Sequence, residues 1–459
     1  MEQSGSSGAS SSGKRFTYMV AGIAALGGLL FGYDIGIVSG AILFIKNDFS
    51  LTPVLEGLVV SSILIGAAIG AGVSGALGDR LGRRRLVLIA AVIFAVGALG
   101  MAFSPSIAVL VAFRVFAGLA VGAASALVPT YISEMAPTDI RGSLSSMFQL
   151  AITIGILLAY GVNFALANAG AWRWMLGLAA VPATFLFIGM YLVPETPRWL
   201  RKNEYMERAR EVLRRSQGRE DVEQEVKEIQ EVEREESQTG ARELLSPWVR
   251  PMLIVGLGLA MLQQFSGINT IIYYAPTIIK STGLGASASI LATVGIGVVN
   301  VAFTFVAIWL IDKLGRKKLL LFGLTGMTIG TIVLGLGFVL PSLSGVVSWI
   351  TLASMLLYIA SFAASFGPVV WVMLPEIFPL QIRGSAAGVC STSNWVANFI
   401  VAQSFPILIA TLGNTPVFWG LGVICILSMA FIYFIVPETM GRSLEEIEED
   451  LRESVAVGS

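Results

Sequence analysis

The stretch GDRLGRRR at residues 78–85 recurs as IDKLGRKK at residues 311–318, a shift of 233 residues. Two further stretches repeat in the same order, SEMAPTDIRG at 133–142 as PEIFPLQIRG at 375–384, and VPET at 193–196 as VPET at 436–439. Their shifts are 242 and 243 residues. Three unrelated motifs that repeat in order at nearly one offset indicate that the chain is built from two similar halves.

Composition places the chain in a membrane. Hydrophobic residues make up 55% of the 459 residues and charged residues only 13%, whereas soluble domains carry about 25% charged residues. The net charge is zero and therefore suggests no nucleic acid partner, and the two cysteines, Cys390 and Cys425, lie in apolar segments that do not indicate a disulfide framework. Histidine is absent, so proton chemistry must fall to a carboxylate, and no metal or organic cofactor is expected.

Twelve stretches are long and apolar enough to cross a bilayer, since a span needs about 20 predominantly apolar residues. They cover residues 16–45, 54–77, 86–104, 106–133, 144–167, 172–193, 250–280, 287–311, 318–340, 346–374, 385–411 and 416–436. The sequence therefore predicts an all-α membrane protein with one six-helix bundle over 16–193 and a second over 250–437. A parallel repeat of this kind is typical of transporters in which two bundles move around a midplane site.

Basic residues predict the orientation, because cytoplasmic loops carry an excess of lysine and arginine. With the N-terminus in the cytoplasm, only Lys46, Arg173 and Lys280 lie on the outer side, and Arg114 lies within a span. We therefore predict a multi-pass plasma-membrane protein, in contact with the lipid bilayer, with both termini in the cytoplasm. Nothing in the sequence demands more than a monomer.

The remaining segments are predicted to be cytoplasmic. They are a Ser/Gly-rich disordered tail (1–15), a Glu/Arg-rich helical connector (194–249), and a C-terminal helix and tail (438–459) in which Ser443 and Glu446 have the spacing of a capping box. Four tryptophans near span ends are predicted to be anchors at the membrane interface: Trp172, Trp174, Trp349 and Trp419.

Asp34 stands out in LLFGYDIGIVSG (29–40), because an ionised carboxylate in an apolar span costs several kcal/mol or more. Arg114 is the only basic residue within the spans of the first half. Gly118 and Gly122 follow it at intervals of four and give that helix a small-residue face. Three roles remain open for Asp34: a static ion pair with Arg114, a proton site that responds to the distance of Arg114, or a hydrogen-bonding group for a ligand.

A set of uncharged amides and aromatic rings lies at bilayer depth. Amides both donate and accept hydrogen bonds, and an aromatic ring packs on C–H faces, so such a set suits a neutral sugar. The members are Gln149, Gln263, Gln264, Asn269, Tyr273, Asn300, Trp371 and Asn394. Ser266 and Gly267 permit a bend that brings the residues on either side of them together. A single such amide would be interpreted as a contact between helices.

With these motifs the chain resembles the sugar porter family of the major facilitator superfamily, and among its members the bacterial glucose–proton symporters. The resemblance covers about residues 16–452 and rests on the paired LGR loops, PETPRW (194–199), QQFSGIN (263–269) and PETMGRSLEE (437–446). It implies that the amides and Trp371 contact the sugar and that Phe31 and Tyr273 line the cavity. It also implies proton coupling, because proton symporters of the family carry an aspartate at the position of Asp34 where facilitative animal members carry asparagine.

The resemblance also implies a cytoplasmic gate of ion pairs between the bundles, made when the site faces outward and broken when it faces inward. Its members would be Arg83, Arg84, Glu134, Arg141, Arg316, Glu376 and Arg383. Simple anchoring at the cytoplasmic surface explains the arginines but not the glutamates at matching repeat positions. One departure from animal facilitators is Ala363, which stands where they carry a glutamate.

The sequence is therefore interpreted as a proton-coupled symporter of a monosaccharide, with D-glucose favoured, that works by alternating access. A facilitative uniporter, a symporter for xylose, galactose or myo-inositol, and a transporter-like sugar receptor are the alternatives. An enzyme is not expected, because no nucleophile or metal-ligand constellation stands out.

Overall fold

The computed structural model describes residues 10–137, 140–227, 229–230, 244, 246–339 and 346–442, apart from the side chains of residues 141–143, 145, 312, 380 and 381. The predicted tail up to residue 9, the middle of the connector and the C-terminal helix with its capping box lie outside the described residues. So does the side chain of Arg141.

The described residues form helices and loops without strands. The helices are α1 (Ser11–Asp48), α2 (Pro53–Leu81), α3 (Arg83–Ala102), α4 (Ile107–Met135), α5 (Arg141–Ala167), α6 (Trp172–Gly177), α7 (Ala180–Leu192), α8 (Pro197–Lys202), α9 (Met206–Gln217), α10 (Arg250–Phe265), α11 (Ile268–Lys280), α12 (Ala286–Leu314), α13 (Arg316–Gly337), α14 (Val347–Ala363), α15 (Phe366–Ile377), α16 (Leu380–Leu412) and α17 (Asn414–Phe434).

Twelve spans are present in the described part of the chain, as predicted. Three of them are broken: α6 and α7 form the sixth span, α10 and α11 the seventh, and α14 and α15 the tenth. We call the side at which α1 begins the N-terminal face, and the other side the opposite face. The connector helices α8 and α9 and the end of α17 lie at the N-terminal face.

Within each half, the LGR loop contacts the VPET motif at the N-terminal face. Gly82 and Gly315, in the two LGR loops, have φ of 103° and 84°, which favour glycine. Each turn lets a glutamate of the repeated VPET motif cap the helix that follows. The backbone N–H of Arg84 donates to Glu195 (3.0 Å), and that of Arg316 donates to Glu438 (2.9 Å). Burial raises the pKa of the Glu195 carboxyl, and its backbone N–H donors oppose this effect.

Helices α2 and α4 pack backbone to backbone through the small-residue face predicted on α4. A Cβ at Gly118 would lie 2.0 Å from the carbonyl oxygen of Ile63, and a Cβ at Gly122 would lie 2.0 Å from that of Ala67. Neither position has room for a side chain. Close approach of this kind replaces the hydrophobic effect as the force that joins helices in a membrane.

The two halves are joined near the opposite face. Tyr160 on α5 donates a hydrogen bond to the carbonyl of Ile272 on α11 (3.1 Å), and Ser61 on α2 donates to Gln403 on α16 (2.8 Å). A Cβ at Gly57, one turn before Ser61, would lie 2.6 Å from the backbone oxygen of Gln403. The α2–α16 contact is therefore tight at this end.

The same two helices separate toward the N-terminal face. A Cβ at Gly72 would still meet Thr392 at 3.8 Å. One turn further toward that face, a Cβ at Gly75 on α2 or Gly388 on α16 would have no described atom within 4 Å. The interface between the halves thus opens on the side that carries the N-terminus.

Two sequence predictions were wrong. Residues 11–15, predicted to be part of a disordered tail, form the start of α1. Ser10 caps that helix, and the backbone N–H of Ser10 donates to the Gln217 carbonyl at the end of α9 (2.8 Å). Trp172, predicted to be an interface anchor, is only 2% exposed and donates its indole N–H to Asp48 (2.7 Å). By contrast, Trp174, Trp349 and Trp419 are exposed on the surface of the helices.

The α2–α4 contact predicts a difference between two mid-helix glycines. Gly118→Ala should destabilise the protein by about 1–3 kcal/mol, because its methyl group collides with backbone that cannot move aside. Gly161 on α5 has nothing within 4 Å of a Cβ, so Gly161→Ala should leave stability unchanged or raise it slightly. Thermal midpoints of the detergent-solubilised proteins measure the difference, and equal midpoints would contradict this account of the packing.

Candidate functional site

The break in the seventh span brings the predicted amides together. Helix α10 ends at Phe265, Gly267 takes φ 92°, and α11 begins at Ile268. Across the break, the Asn269 amide donates to Gln264 Oε1 (2.9 Å). The amide of Gln264 donates in turn to Asn394 Oδ1 on α16 (3.1 Å), and Asn394 donates to Gln263 Oε1 (2.9 Å). Four of the predicted amides therefore form one connected network.

Gln263 joins this network to the break in the tenth span. Its amide nitrogen donates to the carbonyls of Phe366 (2.8 Å) and Gly367 (3.2 Å), where α15 begins. At the other break, the Tyr358 hydroxyl of α14 donates to the Ser266 carbonyl (2.8 Å). The Ser266 carbonyl lies between α10 and α11, so the Tyr358 hydroxyl supplies a partner for a backbone group that the break leaves open. These contacts hold the two broken spans against each other.

Asn269 is the amide of this network best placed to meet a ligand. It is half-buried, whereas Gln263, Gln264 and Asn394 are buried. Its carbonyl oxygen has no hydrogen-bond donor among the described residues. Gln264 and Asn394 thus fix the orientation of a side chain that keeps an open acceptor.

The other predicted site residues take no part in the described hydrogen bonds of this network. Asn300 on α12 is buried, Gln149 on α5 is half-buried, and Trp371 on α15 is 41% exposed. Tyr273 on α11 is buried and accepts a hydrogen bond from Asn398 (3.4 Å).

Phe31 connects the two halves. Its ring lies 5.1 Å from that of Trp395, centroid to centroid, so that α1 meets α16 next to Asn394. Asp34 follows Phe31 by three residues on the same helix, about one turn away.

Asp34 and Arg114 are both buried, with 4% and 1% of their surface exposed. Arg114 Nη1 lies 3.8 Å from Asp34 Oδ1, which is within reach of an ion pair but too long for a hydrogen bond. Among the described residues, neither Nε nor Nη1 of Arg114 has an acceptor. The pair is thus close but incompletely bonded.

Helix α2 holds Arg114 in this position. Arg114 Nη2 donates to the Val60 carbonyl (3.0 Å) on α2, the helix that α4 contacts one turn later through Gly118. The guanidinium is therefore attached to the α2–α4 pair, whereas Asp34 belongs to α1.

The charged residues at the N-terminal face pair within each half. Arg83 Nη2 lies 3.3 Å from Glu134, and Arg316 Nη2 lies 2.9 Å from Glu376. Arg84 donates to the Met190 carbonyl at the end of α7 (2.9 Å). The described ion pairs of Glu134 and Glu376 thus join helices of one half, where the sequence interpretation expected pairs between halves for the outward-facing state.

Several residues that the sequence analysis did not single out belong to these contacts. Trp395 and Asn398 follow the predicted Asn394 by one and four residues on the same helix. This spacing was the sequence feature that could have identified them. Tyr160 and Gln403 join the halves, but one polar residue in an apolar helix does not reveal its partner.

The double role of Gln263 predicts a specific defect. Gln263→Glu replaces the donor to two buried carbonyls by an acceptor and should cost at least about 1–3 kcal/mol. Gln149→Glu makes the same chemical change at a half-buried position and should cost less. Thermal midpoints of the two variants in detergent, without sugar, test this, and a smaller loss for Gln263→Glu would argue against its place between the two breaks.

The chain is similar to known sugar transporters over nearly its whole length. The family model described as sugar (and other) transporter matches residues 20–451. The glucose transporter GlcP of Staphylococcus epidermidis is 48% identical over 438 residues, which cover 95% of this chain and 97% of that protein. The galactose–proton symporter of Escherichia coli is 40% identical over 442 residues, covering 96% and 95%.

A partially occluded, inward-open structure of the xylose transporter XylE from E. coli superposes with a TM-score of 0.83 at 34% identity, covering 94% of this chain and all of that one. This superposition confirms the predicted major facilitator fold. The predicted resemblance to sugar porters is also confirmed, and the protein is a transporter rather than an enzyme. The chain belongs to the sugar transporter family.

Proposed function

We propose that this protein is a sugar–proton symporter of the plasma membrane that carries D-glucose by alternating access between its two six-helix halves. In this proposal the N-terminal face is cytoplasmic, and the structure represents the state in which the site opens toward the cytoplasm. The positive-inside distribution of lysine and arginine supports this orientation. The protein works as a monomer, with a proton as its coupling ion.

One observation carries the proposal: a buried carboxylate lies one helical turn from the contact between the halves. Asp34 is separated from Phe31 by three residues, and Phe31 packs on Trp395 beside the amide network. A change in the charge of Asp34 therefore occurs next to the surface along which the halves must move. The amide network supplies the neutral donors and acceptors that a sugar requires.

The Asp34–Arg114 geometry supports a proton site rather than a static pair. A static buried pair is stabilising only with close geometry and additional hydrogen bonds, whereas here the closest atoms are 3.8 Å apart. A nearby guanidinium favours the carboxylate, and its withdrawal in an apolar site favours the protonated acid. Arg114 moves with α2 and α4, and Asp34 with α1. Motion between these helices would thus release the proton in the present state and bind it in the other.

The choice of sugar rests on similarity. The glucose transporter GlcP is 48% identical to this chain, a D-xylose transporter of Levilactobacillus brevis 47%, and the galactose–proton symporter 40%. Similarity therefore ranks glucose and xylose ahead of galactose, and we propose D-glucose as the substrate to compare with D-xylose, D-galactose and myo-inositol. Asp34 favours symport over facilitated uniport, because a buried carboxylate can bind and release the proton that a symporter carries.

The charged residues at the N-terminal face would act as a gate. In the state open toward the cytoplasm, Arg83, Glu134, Arg316 and Glu376 pair within their own halves. We infer that in the outward-facing state Glu134 and Glu376 pair with arginines of the other half, with Arg84, Arg141 and Arg383 as further members. Such an exchange of partners would give the interface two alternative arrangements.

Proteoliposomes without a membrane potential or pH gradient test the function directly. Addition of D-glucose to the outside should alkalinise the medium, because each sugar that enters carries a proton with it. D-xylose, D-galactose and myo-inositol added separately rank the substrates. Sugar uptake without any pH change would identify a uniporter, and binding without uptake would identify a receptor.

Asp34→Asn should abolish uphill accumulation and sugar-induced alkalinisation but preserve counterflow exchange of labelled glucose, since the amide cannot release a proton. Glu56→Gln is the matched control. Glu56, near the start of α2, is also buried among the described residues, 3% exposed and paired with Lys46 at 2.6 Å. The proposal gives it no role in coupling, so Glu56→Gln should still accumulate sugar. Accumulation that survives in Asp34→Asn would refute the assignment.

The proposed gate predicts that transport stays low when the charges of Arg83 and Glu134 are exchanged. The double variant Arg83→Glu/Glu134→Arg can re-form the pair within the first half but reverses the charge offered to the second half, so uptake should remain low. The exchange Glu207→Arg/Arg210→Glu on the exposed face of α9, where the two side chains are 2.8 Å apart, is the control and should transport normally. Normal uptake by the first variant would show that Glu134 only braces its own half.

A further inference from the structure

A cavity of about 450 Å³ opens at the N-terminal face of the second half. Its lining includes Arg316, Arg383, Arg442, Glu376, Thr439 and Gly441. Three guanidinium groups and one carboxylate give this lining a formal charge of +2. None of these residues belongs to the amide network or to the Asp34–Arg114 pair, but Arg316, Glu376 and Arg383 are also members of the proposed gate.

The first half has a tryptophan at the position that corresponds to Arg442 in this cavity. The shift of 243 residues that relates the two VPET motifs places Arg442 at the position of Trp199 in the first half. Trp199 is buried, donates its indole N–H to the Asp79 carbonyl (3.0 Å) and stacks on Tyr205. The first half thus fills this position with an aromatic ring, whereas the second half places an exposed arginine there beside Gly441.

The single carboxylate of the lining is already engaged. Glu376 accepts two hydrogen bonds from Arg316, at 2.9 and 3.3 Å, and one from the Thr439 hydroxyl at 2.5 Å. It is therefore held against one wall of the cavity by neighbours that neutralise it. Glu438 caps α13, and Arg383 donates its Nε–H to the Phe378 carbonyl (3.1 Å).

We propose that this cavity binds the phosphate group of a small phosphorylated metabolite. Arginine presents a planar fork that matches phosphate oxygens in pairs. A phosphomonoester carries about −1.5 to −2 charges near neutral pH, which matches the charge of the lining. Cavities for small molecules typically enclose about 300–1,000 Å³, so there is room for a sugar-sized body beside the phosphate. A lipid headgroup offers the same phosphate chemistry from the bilayer side.

Binding at this cavity is independent of which sugar the protein carries. The site does not use the amide network, so a failure of the transport proposal would leave it standing. A phosphate held by Arg316 would compete with Glu376 for the same guanidinium, at the end of α15, the helix that carries Trp371.

Isothermal titration of the full-length protein in detergent at low salt, with inorganic phosphate and glucose 6-phosphate as probes, tests the proposal. We expect one saturable site per chain. Arg442→Gln should raise the Kd at least about tenfold, the equivalent of one charge-assisted hydrogen bond, and Arg442→Trp, which copies the first half, should abolish binding. Arg80→Gln removes an exposed arginine from the same face of the first half and should change the Kd less than about twofold.

Absence of binding to the wild-type protein, or an equal loss in Arg80→Gln, would overturn the proposal. The acidic segment 443–453 follows Arg442 directly. When the titration is repeated at about 0.15 M salt, where surface charges are screened, neutralising this segment by Glu→Gln changes at 445, 446, 448 and 449 should leave the Kd within about twofold of wild type. Tightening beyond about tenfold would instead assign the cavity to that segment.

Nanodiscs separate the two sources of phosphate. If a soluble metabolite is the ligand, glucose 6-phosphate binds equally in phosphatidylglycerol and phosphatidylcholine nanodiscs. If a headgroup is the ligand, phosphatidylglycerol blocks the probe and is retained by the wild-type protein but not by Arg442→Gln. Either result supports a phosphate site and identifies where its ligand comes from.

Discussion

Hydrocarbon offers no hydrogen bonds to a polypeptide backbone, and the second half is organised around this constraint. Its seventh and tenth spans are both interrupted near the middle, and each interruption leaves backbone groups that a continuous helix would have satisfied. Tyr358 donates to the Ser266 carbonyl at the first break, and Gln263 donates to the carbonyls of Phe366 and Gly367 in the turn that follows the second. Gln264, in the same network, also fixes the orientation of Asn269. If Asn269 binds the sugar as proposed, structural support and ligand recognition share one hydrogen-bond network.

The first half instead holds two ionisable side chains, Asp34 and Arg114, in the same apolar layer. Close packing of α4 on α2 positions the Arg114 guanidinium against the Val60 carbonyl and leaves part of it without an acceptor among the described residues. Asp34 lies near enough to feel that charge but is carried by a different helix. Since no direct hydrogen bond locks the two side chains together, small displacements of α1 against α4 change their interaction without breaking the fold.

The sequence predicted most of this architecture, because apolar length and a repeated motif depend on local composition. The twelve spans, the bend after Gln264 and the small-residue face of α4 followed from residues near one another in the chain. What could not be predicted depends on partners distant in sequence. Trp172 was assigned to the membrane interface because only tertiary packing places Asp48 beside its indole. Pairs at the N-terminal face depend on how far apart the halves stand, which no single sequence specifies.

The two halves share their turns and helix caps but differ in the polar side chains that they bury. Both halves use an LGR turn capped by the glutamate of VPET, and both hold a glutamate against the arginine that follows this turn. Each half is thereby braced internally by the same means, which suits two units that move against each other. The buried ionisable pair belongs to the first half and the amide network to the second. If the pair carries the proton and the network binds the sugar, as proposed, coupling must cross the interface between the halves, and the contact of Phe31 with Trp395 lies on that interface.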